Sequence, residues 1–566
     1  MRPKSNQSKR AGDRRDSPVG YAPLARAPRI SRSALGWPVL VPLALMLLAI
    51  LLVVIARIRL LGIPLERDEG EYAYIGQLML QGVAPYAEAA NMKLPGTNAA
   101  YALIMAVFGQ SVSAIRIGLL LVNAGCAVLV YFVARRLFGS VAGFAAAASY
   151  AVLSVSPSVM GVWAHATHFV VLAALGALLV LLQWVESRQV HTLIWSGLLF
   201  GMAFLMKQPG ILFAVFGALY LVYSQLGSGR RQDPRSGLSQ IAQSLLLFAG
   251  AVALPFGVTC ALLWRAGVFA RFWLWVFTYA AHYVSLRTVS IGIVAFRSAV
   301  TPIWTYNMGI CLLAAAGLLV LWGTRRNRAA AVFVTGLLVC SFLAVCPGLY
   351  FREHYFILVL PAAALLVGAV STIASETVAG ALPLWLIAGS LLFAVGQQSA
   401  FLFRMSPLEI CRTIYGHNPF PEAIPVAEYI RSHSNKDDRI AVLGSEPEIY
   451  FYSRRRSVTP YVYIYPLVEA QPLAPQMQAE FIHDVETRRP KYLVVVTVSA
   501  SWLRQPDSPA RLLEWATPYY LRHYDRVGVV DIFREGSIYR WDAGAVAYWP
   551  QSSNYLEVFR RRGDGI

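Results

Sequence analysis

The chain has 566 residues, 57% of them apolar, and a mean hydropathy of +0.53. That composition excludes a soluble globular domain and the length excludes a simple anchor, leaving a polytopic α-helical membrane protein. The formal charge of +19 does not point to nucleic acid, because much of the excess lies in the N-terminal tail and in short loops between apolar runs.

Residues 1–34 are basic, rich in Pro and Ser and poor in large apolar groups, which predicts a disordered cytoplasmic tail. A charge-free run follows at 35–56, long enough to cross the hydrocarbon core and too long for the apolar region of a cleaved signal peptide. With the tail inside, the loop at 62–97 emerges on the outer face. Its stretch "LERDEGEYAYIGQLMLQGVAPYAEAANMKLP" places Asp68, Glu69 and Glu71 within four positions, with Lys93 behind them. The apolar piece at 97–108 is too short to span and is expected as a re-entrant or surface helix. A span at 113–134 then ends in Arg135 and Arg136, which belong inside by the positive-inside rule.

The same bookkeeping sets spans near 141–156, 167–185, 192–206, 211–226 and 238–264. Further spans fall at 301–323, 329–347, 356–372 and 380–403, giving about eleven in all, with basic turns at "GSGRRQDPRSG" and "TRRNR". The loop "SETVAG" has no basic residue, so the last hairpin is the least constrained. An odd count leaves 404–566 outside. There "RIAVLG" and "YLVVVTVS" read as buried strands, while "PFPEAIPVAEYIRSHS" and "APQMQAEFIHDVETRRP" read as helices. A C-terminal extracytoplasmic α/β domain is therefore expected after a transmembrane domain at 35–403. "GSEPEIYF" reads as an ordinary strand-to-helix turn, and the six cysteines show neither disulfide nor metal spacing.

Four separate loops send ionisable groups to one membrane face. The acids and Lys93 come from the first, His165 and His168 from the second, Lys207 from "MKQPG", and Arg352, Glu353, His354 and Tyr355 from "FREHYF". Charges beside a bilayer are costly unless hydrated or paired, so such a cluster is a candidate site. Lys and Arg match a lipid phosphate, and a carboxylate beside them can take a proton from an attacking hydroxyl or hold a divalent cation. The combination suits transfer of a group from a phospholipid-like leaving group.

The run "DEGEYAYIGQLMLQGVAPY...KLPG" resembles the first extracytoplasmic loop of GT-C type glycosyltransferases related to the protein O-mannosyltransferases and the lipid A aminoarabinose transferase, in which an Asp-Glu pair precedes a lysine–proline motif. The order of "SAIRIGLLLVNAGCAVLVYFVARRLFG", "KQPG", "HYFILVLPAAALL" and "YGHNPFPEA...VLGSEPEIYFY" extends the resemblance over most of the chain after residue 60. It implies an inverting transferase of the bacterial inner membrane that uses a polyprenyl-phosphate sugar on the outer face. Asp68 would be the catalytic carboxylate and Glu69 a support for acceptor or metal. Glu71, Lys93, His168, Lys207, Arg352, His354 and Tyr355 would form the substrate-binding set, with Lys93, Lys207 and Arg352 for the donor phosphate. The implied partners are the donor, a lipid, glycan or protein acceptor and the membrane, with no nucleic acid.

One departure bears on the cofactor. Many relatives carry another acid in the second outer loop, where "GVWAHATHFVV" has none. His165 or His168 would then substitute, or the role is absent, and dependence on a divalent cation stays open. The rival reading is a transporter or flippase of a lipid-linked sugar.

Overall fold

The computed structural model describes residues 36–228, 234–323, 327–374 and 379–563. The expected tail at 1–34, and parts of the turns at 229–233, 324–326 and 375–378, lie outside the described residues.

Seven described helical segments are long and apolar enough to cross a membrane: Trp37–Arg59, Val112–Phe138, Ala166–Ser187, Gln208–Leu226, Gly237–Arg265, Val289–Trp322 and Glu353–Ile373. Ser140–Val155, Val190–Met206, Arg328–Leu343 and Leu382–Gln397 are shorter apolar helices at the other four positions where spans were expected. At 16 or 17 residues they fall below the roughly 20 residues that a perpendicular crossing needs. Length and composition by themselves thus mark seven of the eleven expected spans, and the four shorter apolar helices occupy the other four positions.

Helix α1 (Trp37–Arg59) illustrates how these elements pack. Met46, Ala49, Val53 and Ala56 recur at helical spacing and are buried against other helices, while Leu47, Leu51, Ile55 and Ile58 face outward. Arg57 closes the last turn, where a cation favours the helix dipole. It also donates to the carbonyls of Ser154 (2.7 Å) and Gly161 (3.2 Å), so the buried guanidinium is not left unpaired.

After α1 the chain forms α2 (Arg67–Leu80) and then α3 (Gly96–Phe108). The latter has 13 residues and leaves Leu103, Val107 and Phe108 exposed, in keeping with a helix that does not span. The chain continues through α4 (Val112–Phe138), α5 (Ser140–Val155), α6 (Ala166–Ser187) and α7 (Val190–Met206).

The C-terminal part forms one six-stranded mixed sheet in the order β2-β1-β3-β6-β4-β5. β1 (Arg439–Leu443) pairs in parallel with β2 (Arg456–Ser457) and β3 (Tyr492–Thr497), setting Ile440 opposite Tyr492. β4 (Tyr524–Ile532), β5 (Ser537–Trp541) and β6 (Tyr555–Arg561) complete an antiparallel half. The two expected strands are β1 and β3, and the expected helices are Phe420–Ser432 and Ala474–Arg488.

A short helix, Glu448–Ser453, follows β1 and lies directly on α2. Gly70 makes that approach possible, since a Cβ there would come within 2.7 Å of the Glu448 backbone nitrogen. The shared core joins Tyr72, Tyr74 and Ile75 of α2 to Ile449, Tyr450 and Val462 of the sheet domain. Tyr452 accepts a hydrogen bond from the Leu65 amide (3.0 Å), and Tyr74 accepts one from the Ser457 amide (2.9 Å).

Candidate active site

Helix α2 begins with a capping box. Glu66 accepts from the Glu69 amide (2.9 Å), and Glu69 accepts from the Glu66 amide (3.3 Å), which starts the helix just before Asp68. A spacing of three residues puts Asp68 and Glu71 on one face and Glu66 and Glu69 on another. The two faces have different partners.

On the first face, Lys93 reaches both acids, its Nζ lying 3.0 Å from Asp68 Oδ1 and 2.9 Å from Glu71 Oε2. The loop presents this lysine through bonds from the Lys93 amide to Asn91 Oδ1 and from the Tyr86 hydroxyl to the Lys93 carbonyl, each 2.7 Å. Tyr463, from the sheet domain, donates to the same Asp68 Oδ1 at 3.1 Å. Both bonds fall on one oxygen, so Oδ2 has no hydrogen bond among the described residues. The Asp68 side chain is 30% exposed, against 3% for Glu71. Burial pushes the Asp68 carboxyl up, but Lys93, with Arg352 further off, more than offsets it and holds the group well below the usual carboxylate range. Burial, reinforced by Asp68, raises Glu71 to about 7 despite Lys93.

On the second face Glu69 is fully buried. Arg116 of α4 donates to both of its oxygens, with Nη2 2.8 Å from Oε2, and the Ala164 amide also donates to Oε1. Arg116 further bonds the carbonyls of Ile63 (3.1 Å) and Pro64 (3.2 Å). Glu69 thus ties α2 to α4 and to the loop before α6.

That loop carries His165, whose ring stacks on His354 at 3.9 Å. Among the described residues neither ring nitrogen of His165 has a hydrogen-bond partner, and Glu66 Oε1 is 3.6 Å from Nδ1. Burial lowers His165 to about 3, so it is neutral and keeps a ligating lone pair. Ligand atoms of Asp68, His165 and His354 lie within 4.8 Å of one another. A tetrahedral zinc-like ion holds such atoms roughly 3.4 Å apart, so these residues could hold a cation after drawing modestly together. His168 is buried, its ring nitrogens have no hydrogen bond among the described residues, and it is not in this group.

Two cations complete the surroundings. Lys207 follows α7, with Nζ 3.9 Å from the centre of the Tyr355 ring. Gln208 beside it donates to the Met92 carbonyl (2.8 Å), linking this turn to the Lys93 loop. Burial lowers Lys207 to about 7, with Lys93 and Arg352 acting in the same sense and Asp68 opposing. Arg352 is exposed and lies over the Tyr350 ring at 5.8 Å. Neither Lys207 nor Arg352 has a carboxylate within ion-pair distance among the described residues.

The fold, though not this set of side chains, can be compared with known proteins. A family model described as dolichyl-phosphate-mannose-protein mannosyltransferase matches residues 93–256, under a third of the chain. The structure of ArnT from Cupriavidus metallidurans in the apo state superposes with a TM-score of 0.55 at 14% identity, over 91% of this chain and 97% of that one. ArnT bound to undecaprenyl phosphate gives 0.54 at 16%, over 82% and 94%. The apo oligosaccharyltransferase of Archaeoglobus fulgidus gives 0.51 at 14%, over 92% and 76%. The fold is that of the GT-C membrane glycosyltransferases. No curated protein matches in sequence.

Within this GT-C fold, α2 brings Asp68 and Glu71 together with Lys93, and the His165–His354 stack lies beside Asp68. Sequence reasoning missed Glu66, Arg116 and Tyr463. Arg116 had a usable signal, a lone arginine inside the apolar run "SAIRIGLLLV". Tyr463 had none, because it is brought to Asp68 by a domain nearly 400 residues away, at a sequence separation of 395.

Proposed function

We propose that the protein is a glycosyltransferase that moves a sugar from a polyprenyl-phosphate carrier to a lipid, glycan or protein acceptor, on the outer face of the bacterial inner membrane, with inversion. The observation that carries this reading is Asp68: an ionised, partly open carboxylate with one uncommitted oxygen, near two cations that lack carboxylate partners. ArnT has been seen with undecaprenyl phosphate bound, which supports a lipid-phosphate donor for a chain of the same fold.

In this reading Lys207 and Arg352 hold the donor phosphate, and Tyr355 orients the Lys207 ammonium. The acceptor hydroxyl or amine attacks the anomeric carbon from the side opposite the phosphate. Asp68 Oδ2 takes the acceptor proton as the new bond forms. The anomeric C–O bond breaks, and the electron pair leaves with the polyprenyl phosphate, stabilised by the two cations. One displacement inverts the anomeric centre. Lys93 and Tyr463 fix Asp68 through its other oxygen, and Glu69 acts through Arg116 as a positioning residue. A divalent cation, if required, would be held by Asp68, His165 and His354 and would help to bind and polarise substrate oxygens.

The test is transfer by the purified protein in nanodiscs from a panel of polyprenyl-phosphate sugars, with donor binding measured separately. Turnover by the native protein and binding without turnover by Asp68→Asn are expected. Donor transport across a sealed bilayer with no glycosidic product would overturn the reading.

A further inference from the structure

A second polar site lies on the far part of α2. Here a cavity of 920 Å³ opens between Gln77, Gln81 and Gln110 on one side and the sheet domain on the other. An α-helix rises about 1.5 Å per residue, so Gln77 is roughly 13 Å along α2 from Asp68. The cavity is separate from the cluster described above.

The lining is strongly cationic: Arg431, Lys436, Arg439, Arg454, Arg455 and Arg456 meet one acid, Asp437. Some of these cations are structural. Arg455 is buried and bonds the carbonyls of Arg431 (3.0 Å) and Ser434 (2.8 Å). Arg439 and Arg456 share Glu88 at 3.2 and 3.1 Å, so a single carboxylate serves two guanidinium groups. Arg456 also donates to Gln81 Oε1 at 2.8 and 3.0 Å, holding the sheet domain against α2. Lys436 and Arg454 have no ion pair among the described residues, and both face the cavity. Arg454 adopts a left-handed backbone (φ 55°), uncommon for a non-glycine residue, as it closes helix Glu448–Ser453.

The volume is in the range of small-ligand sites, but the lining differs from the usual apolar one. Leu78 is the sole aliphatic side chain at the wall, which disfavours an acyl chain. The Ser434 hydroxyl is taken by Ile430 and Arg455, and Gln77 donates to Gln110 Oε1, but Asn435 and the amide nitrogens of Gln81 and Gln110 remain to bond sugar hydroxyls, and the cations match phosphate or carboxylate groups. We infer that this cavity binds an anionic saccharide, a short glycan segment bearing carboxylate or phosphate groups. Binding there requires no transfer chemistry at Asp68.

The experiment titrates the full chain in phosphatidylcholine nanodiscs with tetragalacturonate, maltotetraose and inorganic phosphate. Tetragalacturonate is expected to bind saturably, to weaken as salt is raised, and to lose about tenfold or more in affinity with Lys436→Ala/Arg454→Ala at unchanged melting temperature. Maltotetraose and inorganic phosphate should each bind at least about tenfold more weakly. If the charge-reversed Lys436→Glu/Arg454→Glu protein melts normally, its binding should vanish. Equal affinity in native and variant proteins, equal affinity for maltotetraose, a phosphate affinity matching tetragalacturonate, or no saccharide binding would each overturn the assignment. So would retention on phosphatidylglycerol vesicles, lost in the variant, without saccharide binding.

Discussion

Asp68 and Glu69 are adjacent in α2, yet Asp68 keeps an uncommitted oxygen whereas each oxygen of Glu69 accepts two hydrogen bonds. Replacing Glu69 by Gln would leave the Arg116 guanidinium buried without its counter-charge. Breaking such a pair costs about 3–5 kcal/mol, and the amide's residual bonding should place Glu69→Gln near the lower end. Thermal unfolding in detergent should therefore show a clear loss for Glu69→Gln and little for Asp68→Asn; equal melting of the two would contradict the structural role of Glu69. Lys207 carries a pH dependence of the opposite sign to a carboxylate. Burial, helped by Lys93 and Arg352 against the opposing pull of Asp68, lowers its pKa to about 7, so it is charged below that pH and loses its charge above it. A phosphodiester donor keeps one negative charge throughout. Donor affinity should then fall by about tenfold between pH 6 and pH 8, and Lys207→Arg should flatten the profile because guanidinium stays protonated. A flat profile in the native protein would remove Lys207 from the phosphate site.

At the scale of elements, α2 packs against helix Glu448–Ser453 of the same domain that brings Tyr463 to Asp68. Gly70→Ala would force that helix away from α2, and overpacking of this kind costs about 1–3 kcal/mol. Its turnover should drop further than that of Tyr463→Phe, which loses one hydrogen bond while keeping the ring. Normal turnover by Gly70→Ala would show that the docking does not govern the site. Sequence made the apolar helices legible because each carries a long uncharged run, and β1 and β3 legible because both are interior strands with short, largely buried apolar runs. The antiparallel half was not legible. β5 (Ser537–Trp541) has no fully buried position, and β6 mixes Glu557, Arg560 and Arg561 into its pattern, so neither produces a short apolar run. The ionisable loops were legible one by one from their charge, whereas the Glu69–Arg116 pair and the Tyr463–Asp68 bond arise only from tertiary packing.

For the whole molecule, the hydrogen bond from Tyr463 to Asp68 requires the α2 loop and the sheet domain to share one side of the membrane. A reporter joined after Phe403 should be active outside the cytoplasm, and one inserted at Gly139, beside Arg135 and Arg136, active inside. Activity of both on one side would break the arrangement. The central claim is that Asp68 performs sugar transfer from a lipid phosphate, with general-base assistance worth on the order of 10²- to 10⁴-fold. The most direct measurement is mass spectrometry of lipid-linked sugars and envelope glycans from cells producing native protein or Asp68→Asn at equal abundance. The variant should accumulate one polyprenyl-phosphate sugar and lose the glycan made from it; identical lipid and glycan profiles in the two strains would contradict the claim.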